Sequence, residues 1–117
     1  MPFTHLIVEG NNINEQAIDV LLHLVKRKIP DNMQELHFIH AKCVWRATNE
    51  LLKQMKGRNY LRKLSLVEAG LNEFSLKPLT EMVAKQKTLI YLDISWNGLM
   101  AEQMKPLLVV LSKNRRL

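Results

Sequence analysis

A single cysteine, Cys43, stands in the whole chain of 117 residues. It cannot close an internal disulfide, which excludes the stapled framework of small extracellular domains and favours a reducing, cytoplasmic setting. No stretch approaches the roughly eighteen consecutive apolar residues of a membrane span. The opening "MPFTHLIVEGNN" also lacks the basic region, apolar run and cleavage site of a secretory leader, so neither membrane insertion nor export is expected. Aromatic residues are few: two tryptophans, two tyrosines and three phenylalanines. No row of stacking aromatics, zinc spacing, helix-turn-helix or RNA-recognition signature is present, so nucleic acid is disfavoured as a partner. The loops GxxxxGK[ST] and GxGxxG, the GxSxG elbow and HExxH are missing as well. No catalytic residue, cofactor or resident metal is therefore expected.

What is present is repetition. The run "LIYLDISWNGL", residues 89–99, places apolar residues at Leu89, Leu92, Ile94 and Leu99, with Asn97 near its end. Twenty-eight residues earlier, "LRKLSLVEAGL" carries Leu61, Leu64, Leu66 and Leu71 at the same offsets, with Ala69 in the asparagine's place. A further step of 28 reaches "MQELHFIHAKC", with Met33, Leu36, Phe38, Ala41 and Cys43, and a step of 30 reaches "FTHLIVEGNNI", with Phe3, Leu6, Val8, Asn11 and Ile13. Cys43 thus reads as a small buried core residue rather than a reactive thiol.

After each run the apolar period lengthens from two to that of a helix. The helical sets are Ile18, Leu21, Leu24 and Val25; Thr48, Leu51, Gln54 and Met55; Leu76, Leu79, Met82 and Val83; and Met104, Leu107, Val110 and Leu111. Each unit therefore predicts one short strand followed by one helix. Pro78 and Pro106, themselves 28 apart, confine the last two helix starts to the few residues before them. Gly70 and Gly98 share one place just past their strands, where a positive φ is expected. "KRKIPDN" is the only insertion, and its Pro30 before Asp31 fits a turn.

The pattern LxxLxLxxNxL, its period of 28 and its returning helix resemble the leucine-rich repeat of the ribonuclease-inhibitor-like class over essentially the whole chain. The resemblance implies an α/β solenoid, or horseshoe, with a parallel sheet on the concave face and helices on the convex one. One domain over 1–117 is expected, with repeats 3–32, 33–60, 61–88 and 89–116, and Leu117 begins a fifth strand. Neither end offers the polar cap that such arrays need, so the chain is expected to be a piece of a longer array or to bury its open ends on another chain. The family's array serves inhibitors, innate-immune receptors, GTPase activators, actin regulators and axonemal scaffolds, so it names a shape more than a task.

Strand alternation then predicts the solvent-facing positions: His5, Ile7, Glu9 and Gly10; Glu35, His37, Ile39 and His40; Lys63, Ser65, Val67 and Glu68; Tyr91, Asp93, Ser95 and Trp96. Of these, Glu35, His37, Ile39, His40, Lys63, Val67, Tyr91, Asp93 and Trp96 form the candidate protein-binding face. Exposed apolar and aromatic residues among charges suit a partner's anchor; alternatively, Trp96 packs over the turn beside Gly98, or a neighbouring repeat covers it. His5, His37 and His40 share that face but do not converge as metal ligands must, which favours hydrogen bonding.

The formal net charge of +6 is unevenly spread. Thirteen of the seventeen basic residues fall in last helical turns or in the connections that follow: Lys26, Arg27, Lys28, Lys53, Lys56, Arg58, Arg62, Lys63, Lys85, Lys87, Lys113, Arg115 and Arg116. Cations at helix C-termini are stabilised by the dipole. The same rim would also attract a protein with an acidic surface. The sequence thus reads as a non-catalytic scaffold that binds protein. The alternatives are a structural spacer in a cytoskeletal or ciliary assembly, touching neighbours through its ends and basic rim, or part of a GTPase-activating or ribonuclease-inhibitor-type regulator.

Overall fold

The computed structural model describes residues 5–9, 23, 34–41, 45–55 and 61–114, with only the backbone of Trp45, Arg46, Ala47 and Gln54. Of the first expected helix, from Ile18 to Val25, only His23, helical and exposed, is among the described residues; Cys43, the Pro30 turn and the rim residues Lys26, Arg27, Lys28, Lys56, Arg58, Arg115 and Arg116 lie outside them.

Four strands, β1 (His5–Glu9), β2 (Glu35–Ile39), β3 (Lys63–Val67) and β4 (Tyr91–Asp93), form one parallel sheet in sequence order. The helices α1 (Trp45–Met55), α2 (Leu76–Lys85) and α3 (Lys105–Lys113) follow β2, β3 and β4, giving a mixed α/β fold. The register follows the repeat: Leu6 pairs with Leu36, Leu36 with Leu64 and Leu64 with Leu92. The steps of 30, 28 and 28 residues in the sequence are therefore the steps between neighbouring strands.

Alternation decides which strand side chains turn inward. Leu36, Phe38, Leu64 and Leu66 are at most 2% exposed and join one core with Leu51, Leu52 and Met55 of α1, Leu76, Leu79, Met82 and Val83 of α2, and Leu107 of α3. Thr48 is buried too, and its hydroxyl donates to the Ala69 carbonyl at 2.8 Å, so burial leaves it satisfied. Leu52 also enters the core from outside the expected stripe, which widens the apolar face of α1.

The start of α2 is encoded locally. Asn72 Oδ1 accepts from the Phe74 amide at 3.0 Å while Ser75 Oγ accepts from the Asn72 amide at 3.0 Å, a capping box on the 3₁₀ turn Glu73–Ser75 that leads into the helix. Pro78 then sits in the first turn of α2, and Pro106 does the same in α3, where a missing N–H costs nothing.

Gly70 and Gly98 adopt φ of 81° and 67°, as their shared place predicts. Not foreseen is that His40, Glu68 and Trp96, again 28 apart, have φ of 53°, 46° and 62°. This left-handed corner ends each of the three strands, and its amide continues the ladder: His40 N–H donates to Val67 O at 2.8 Å and Glu68 N–H to Ser95 O at 3.0 Å. A non-glycine residue there costs on the order of 1 kcal/mol. The first copy has Gly10 at the corresponding position, a signal in the sequence that could have revealed the corner.

Asn97 joins two successive units. Its Oδ1 accepts from the amides of Ala69 at 3.0 Å and Leu71 at 3.2 Å, and its Nδ2 faces the carbonyls of Leu66, Ile94 and Ser95 at 2.6, 2.9 and 3.1 Å. The Ala69 and Leu71 amides flank the Gly70 bend, where the backbone has left the ladder and needs other partners.

Candidate functional site

One side of the sheet packs on the helices through the core just described. On the other side the described residues place no helix, and this side carries the candidate face.

Burial corrects part of the expected exposure. Ser65 is only 3% exposed and Val67 only 8%, although both were expected to face solvent. They do occupy the alternate, non-core positions of β3, but β3 has a neighbour on each side: Ser65 lies between His37 and Asp93, and Val67 beside Ile39. With strands about 4.8 Å apart, larger flanking side chains cover small ones. Ile39 is partly covered too. The exposed apolar and aromatic residues of the face lie at its edges: Ile7 at 61% on β1, Tyr91 at 45% on β4, and Trp96 at 81% on the corner after β4. Trp96 therefore does not fold down over the Gly98 turn.

The polar residues of the face are tied to one another across strands. His5 Nε2 donates to Glu35 Oε2 at 2.6 Å, and His37 Nε2 to Glu35 Oε1 at 3.1 Å. Because a carboxylate only accepts, His37 Nε2 is the donor to Glu35, and His37 Nδ1 lies 2.7 Å from the Ser65 hydroxyl. This chain spans β1, β2 and β3. Farther along, His40 Nδ1 donates to Glu68 Oε2 at 2.7 Å, joining two left-handed corners.

The order Ser65, His37, Glu35 has the connectivity of an acid–base relay. A nucleophile must meet its substrate, however, and the Ser65 side chain is almost wholly covered. The arrangement acts as an inter-strand tie. The histidines divide between two carboxylates, and among the described residues no group of three or more histidine, cysteine, aspartate or glutamate side chains is placed to hold a metal ion.

The hydrogen bond from His37, then the hydrogen bond and charge of His5 and the charge of Lys63, hold the Glu35 carboxyl below its ordinary value of 4.5 against the opposing effect of burial. Asp93 is likewise held below 3.8, first by the Ser95 hydroxyl, then by the Ser95 amide and Tyr91. Folding thus favours ionised Glu35. The stabilisation is fully present above the unfolded value and is lost as pH falls through the lower folded one. Unfolding by denaturant at a series of pH values is expected to show stability falling below pH 4.5, and Glu35→Gln is expected to make that fall shallower. Identical slopes for the two proteins would remove Glu35 from the account.

The described rim residues Lys53, Arg62, Lys63, Lys85, Lys87 and Lys113 are all exposed. Strands run away from this edge and helices return to it, so the topology gathers them where the strands begin. The Gln34 carbonyl accepts from the amides of Arg62 and Lys63, and the Arg62 carbonyl from those of Ile90 and Tyr91, a junction repeated from one unit to the next.

The expected candidates that are described therefore fall into two places, the sheet face away from the described helices and the basic rim. No helix among the described residues is long and apolar enough to cross a membrane. Compared with known proteins, the chain matches no protein-family model and no curated sequence.

Proposed function

We propose that the chain is a leucine-rich-repeat module of four strand–helix units, stacked as a solenoid with the sheet on its concave side, and that it binds a partner protein there without catalysis. The matched register of Leu36, Leu64 and Leu92 supports the stacking, and the Asn97 bracket between units agrees with it. The observation that carries the binding reading is the exposure of Trp96 and Tyr91 beside a carboxylate, Asp93, whose position Ser95 and Tyr91 hold. Rigid aromatic anchors of this kind dominate binding energies, while their charged surroundings set orientation. Glu35, His37 and Lys63 supply the polar surroundings, Ile39 and Val67 a shallow apolar floor, and His40 the far corner.

Trp96→Ala combined with Tyr91→Ala is expected to leave thermal unfolding essentially unchanged, because both side chains are exposed. An anchor contributes about 2 kcal/mol, so each loss should weaken a partner by roughly thirtyfold. Quantitative recovery of bound proteins from a cell extract, wild type against the double variant, checks this. Recovery of the same proteins in the same amounts would move the site off the sheet face.

A second reading, a structural unit that packs on a neighbour, is favoured by incomplete burial at the last unit. Leu92, Ile94, Leu99 and Leu111 are only partly buried, whereas their counterparts Leu64, Leu66, Leu71 and Val83 are at most 4% exposed. Sedimentation over a range of concentrations separates the two: growth in mass supports packing, and an unchanging monomer opposes it.

A further inference from the structure

Away from the sheet face, a groove of about 550 Å³ lies between the C-terminal turns of α2 and α3. Val83, Ala84 and Val110 make its aliphatic lining, and Lys87 and Lys113 stand beside them. We propose that this groove binds an extended acidic segment of a partner protein, with carboxylates on Lys87 and Lys113 and an aliphatic side chain against Ala84 and Val110. The proposal is independent of binding on the sheet face.

Three observations carry it. First, the charge exceeds what helix ends require. The helix dipole accounts for Lys85 and Lys113, each in a last turn. It does not account for Lys87, which lies beyond the extended C-cap Gln86, nor for Arg62 beside the start of β3. Among the described residues, Lys85, Lys87 and Lys113 make no ion pair, so their charge is available to a visitor. Glu68, Glu73 and Glu102 lie where strands end and helices begin, at the opposite edge. That edge also carries Lys77 and Lys105, the latter paired with Glu102, so the unpaired cations beside the groove are what draw an acidic segment to this edge.

Second, Gln86 also lines the groove. It is 1% exposed; its Nε2 donates to the Met55 carbonyl at 2.8 Å, and its buried Oε1 has no hydrogen-bond partner. Buried acceptors are ordinarily paired. A peptide offers backbone N–H groups, which a small adjustment of Gln86 would bring within reach.

Third, the lining chooses between acidic polymers. Single-stranded nucleic acids need aromatic platforms for their bases. The exposed aromatics Phe74, Tyr91 and Trp96 do not line this groove, whose walls suit aliphatic side chains.

The test uses a fluorescein-labelled peptide of repeated Glu-Glu-Leu, titrated with the chain and followed by anisotropy. Binding that weakens as salt is raised is expected. Lys87→Glu with Lys113→Glu should lower affinity by about tenfold or more. Lys77→Glu with Lys105→Glu makes the same change in net charge at the other ends of the two helices. A helix of this length separates its ends by roughly 15 Å, beyond the screening length of about 8 Å, so affinity should stay within about twofold. Ala84→Phe fills the groove without altering charge and should also weaken binding by about tenfold. Circular dichroism checks that each variant keeps its helices, and the exposed Ala84 gives a test that does not depend on the lysines. The proposal is overturned if the peptide does not bind, if the control pair loses as much as the groove pair, or if Ala84→Phe has no effect. Tighter binding of a single-stranded oligonucleotide of equal charge, lost in the same variants, would also overturn it by reassigning the groove.

Discussion

Asn97→Ala is expected to destabilise the protein by about 3 kcal/mol in denaturant unfolding, a large share of the stability of an ordinary domain. The side chain is small, but five backbone groups bond to it, of which the Ser95 carbonyl also accepts from the Glu68 amide. Its loss leaves the amides of Ala69 and Leu71 without their acceptor, and Ala69 is 0% exposed, so water cannot replace it. A buried donor left unsatisfied costs about 1–3 kcal/mol, and two are affected. On the other side, the carbonyls of Leu66, Ile94 and Ser95 lose the hydrogens they share from Nδ2. Asn97→Asp separates the two sides of the bracket: the acceptor remains, but a carboxylate would face three carbonyl oxygens. The aspartate variant should therefore recover stability relative to the parent as pH falls towards about 3.9, because facing carbonyls raises the folded carboxyl's pKa and protonation restores one donor, and the recovery should be complete below that value. A loss under about 1 kcal/mol for Asn97→Ala would show that solvent satisfies these groups and that the bracket matters little.

The second large effect concerns depth in the core. Leu64 is 1% exposed on β3, so Leu64→Ala should cost about 2–5 kcal/mol through lost transfer energy and the cavity left behind. Leu92 is its partner on β4 and carries the same side chain, but it is only partly buried. Leu92→Ala should cost about 1 kcal/mol, because a site open on one side loses less and leaves no closed cavity. The order of the two losses, measured by denaturant unfolding, is the test. Equal losses would mean that something covers the outer side of β4 in solution, which would favour packing on a neighbour over a free module.

Much of the fold could be read from residue spacing. Leucines at a common offset on parallel strands must become neighbours once each intervening segment returns the chain by the same distance, as Leu36, Leu64 and Leu92 do. The helix starts near Pro78 and Pro106 and the bends at Gly70 and Gly98 were legible for a similar reason, since each residue acts on its own φ or its own N–H. The candidate site was legible only as a roster of positions. Its residues lie on the expected face, yet Ser65 and Val67 are covered while Ile7, Tyr91 and Trp96 stand out.

By itself, then, the sequence determined the four strands, their register and the inward-facing residues among those described. These depend on period and on local backbone chemistry, and every repeat states them again. The tertiary structure alone decided how deep each side chain lies, that His5, Glu35, His37 and Ser65 form one connected chain, that His40, Glu68 and Trp96 turn left-handed, and that a groove opens beside Lys87 and Lys113. The physical reason is that period assigns a side chain to a face, whereas exposure and pairing depend on the size and position of neighbours brought from units 28 residues away.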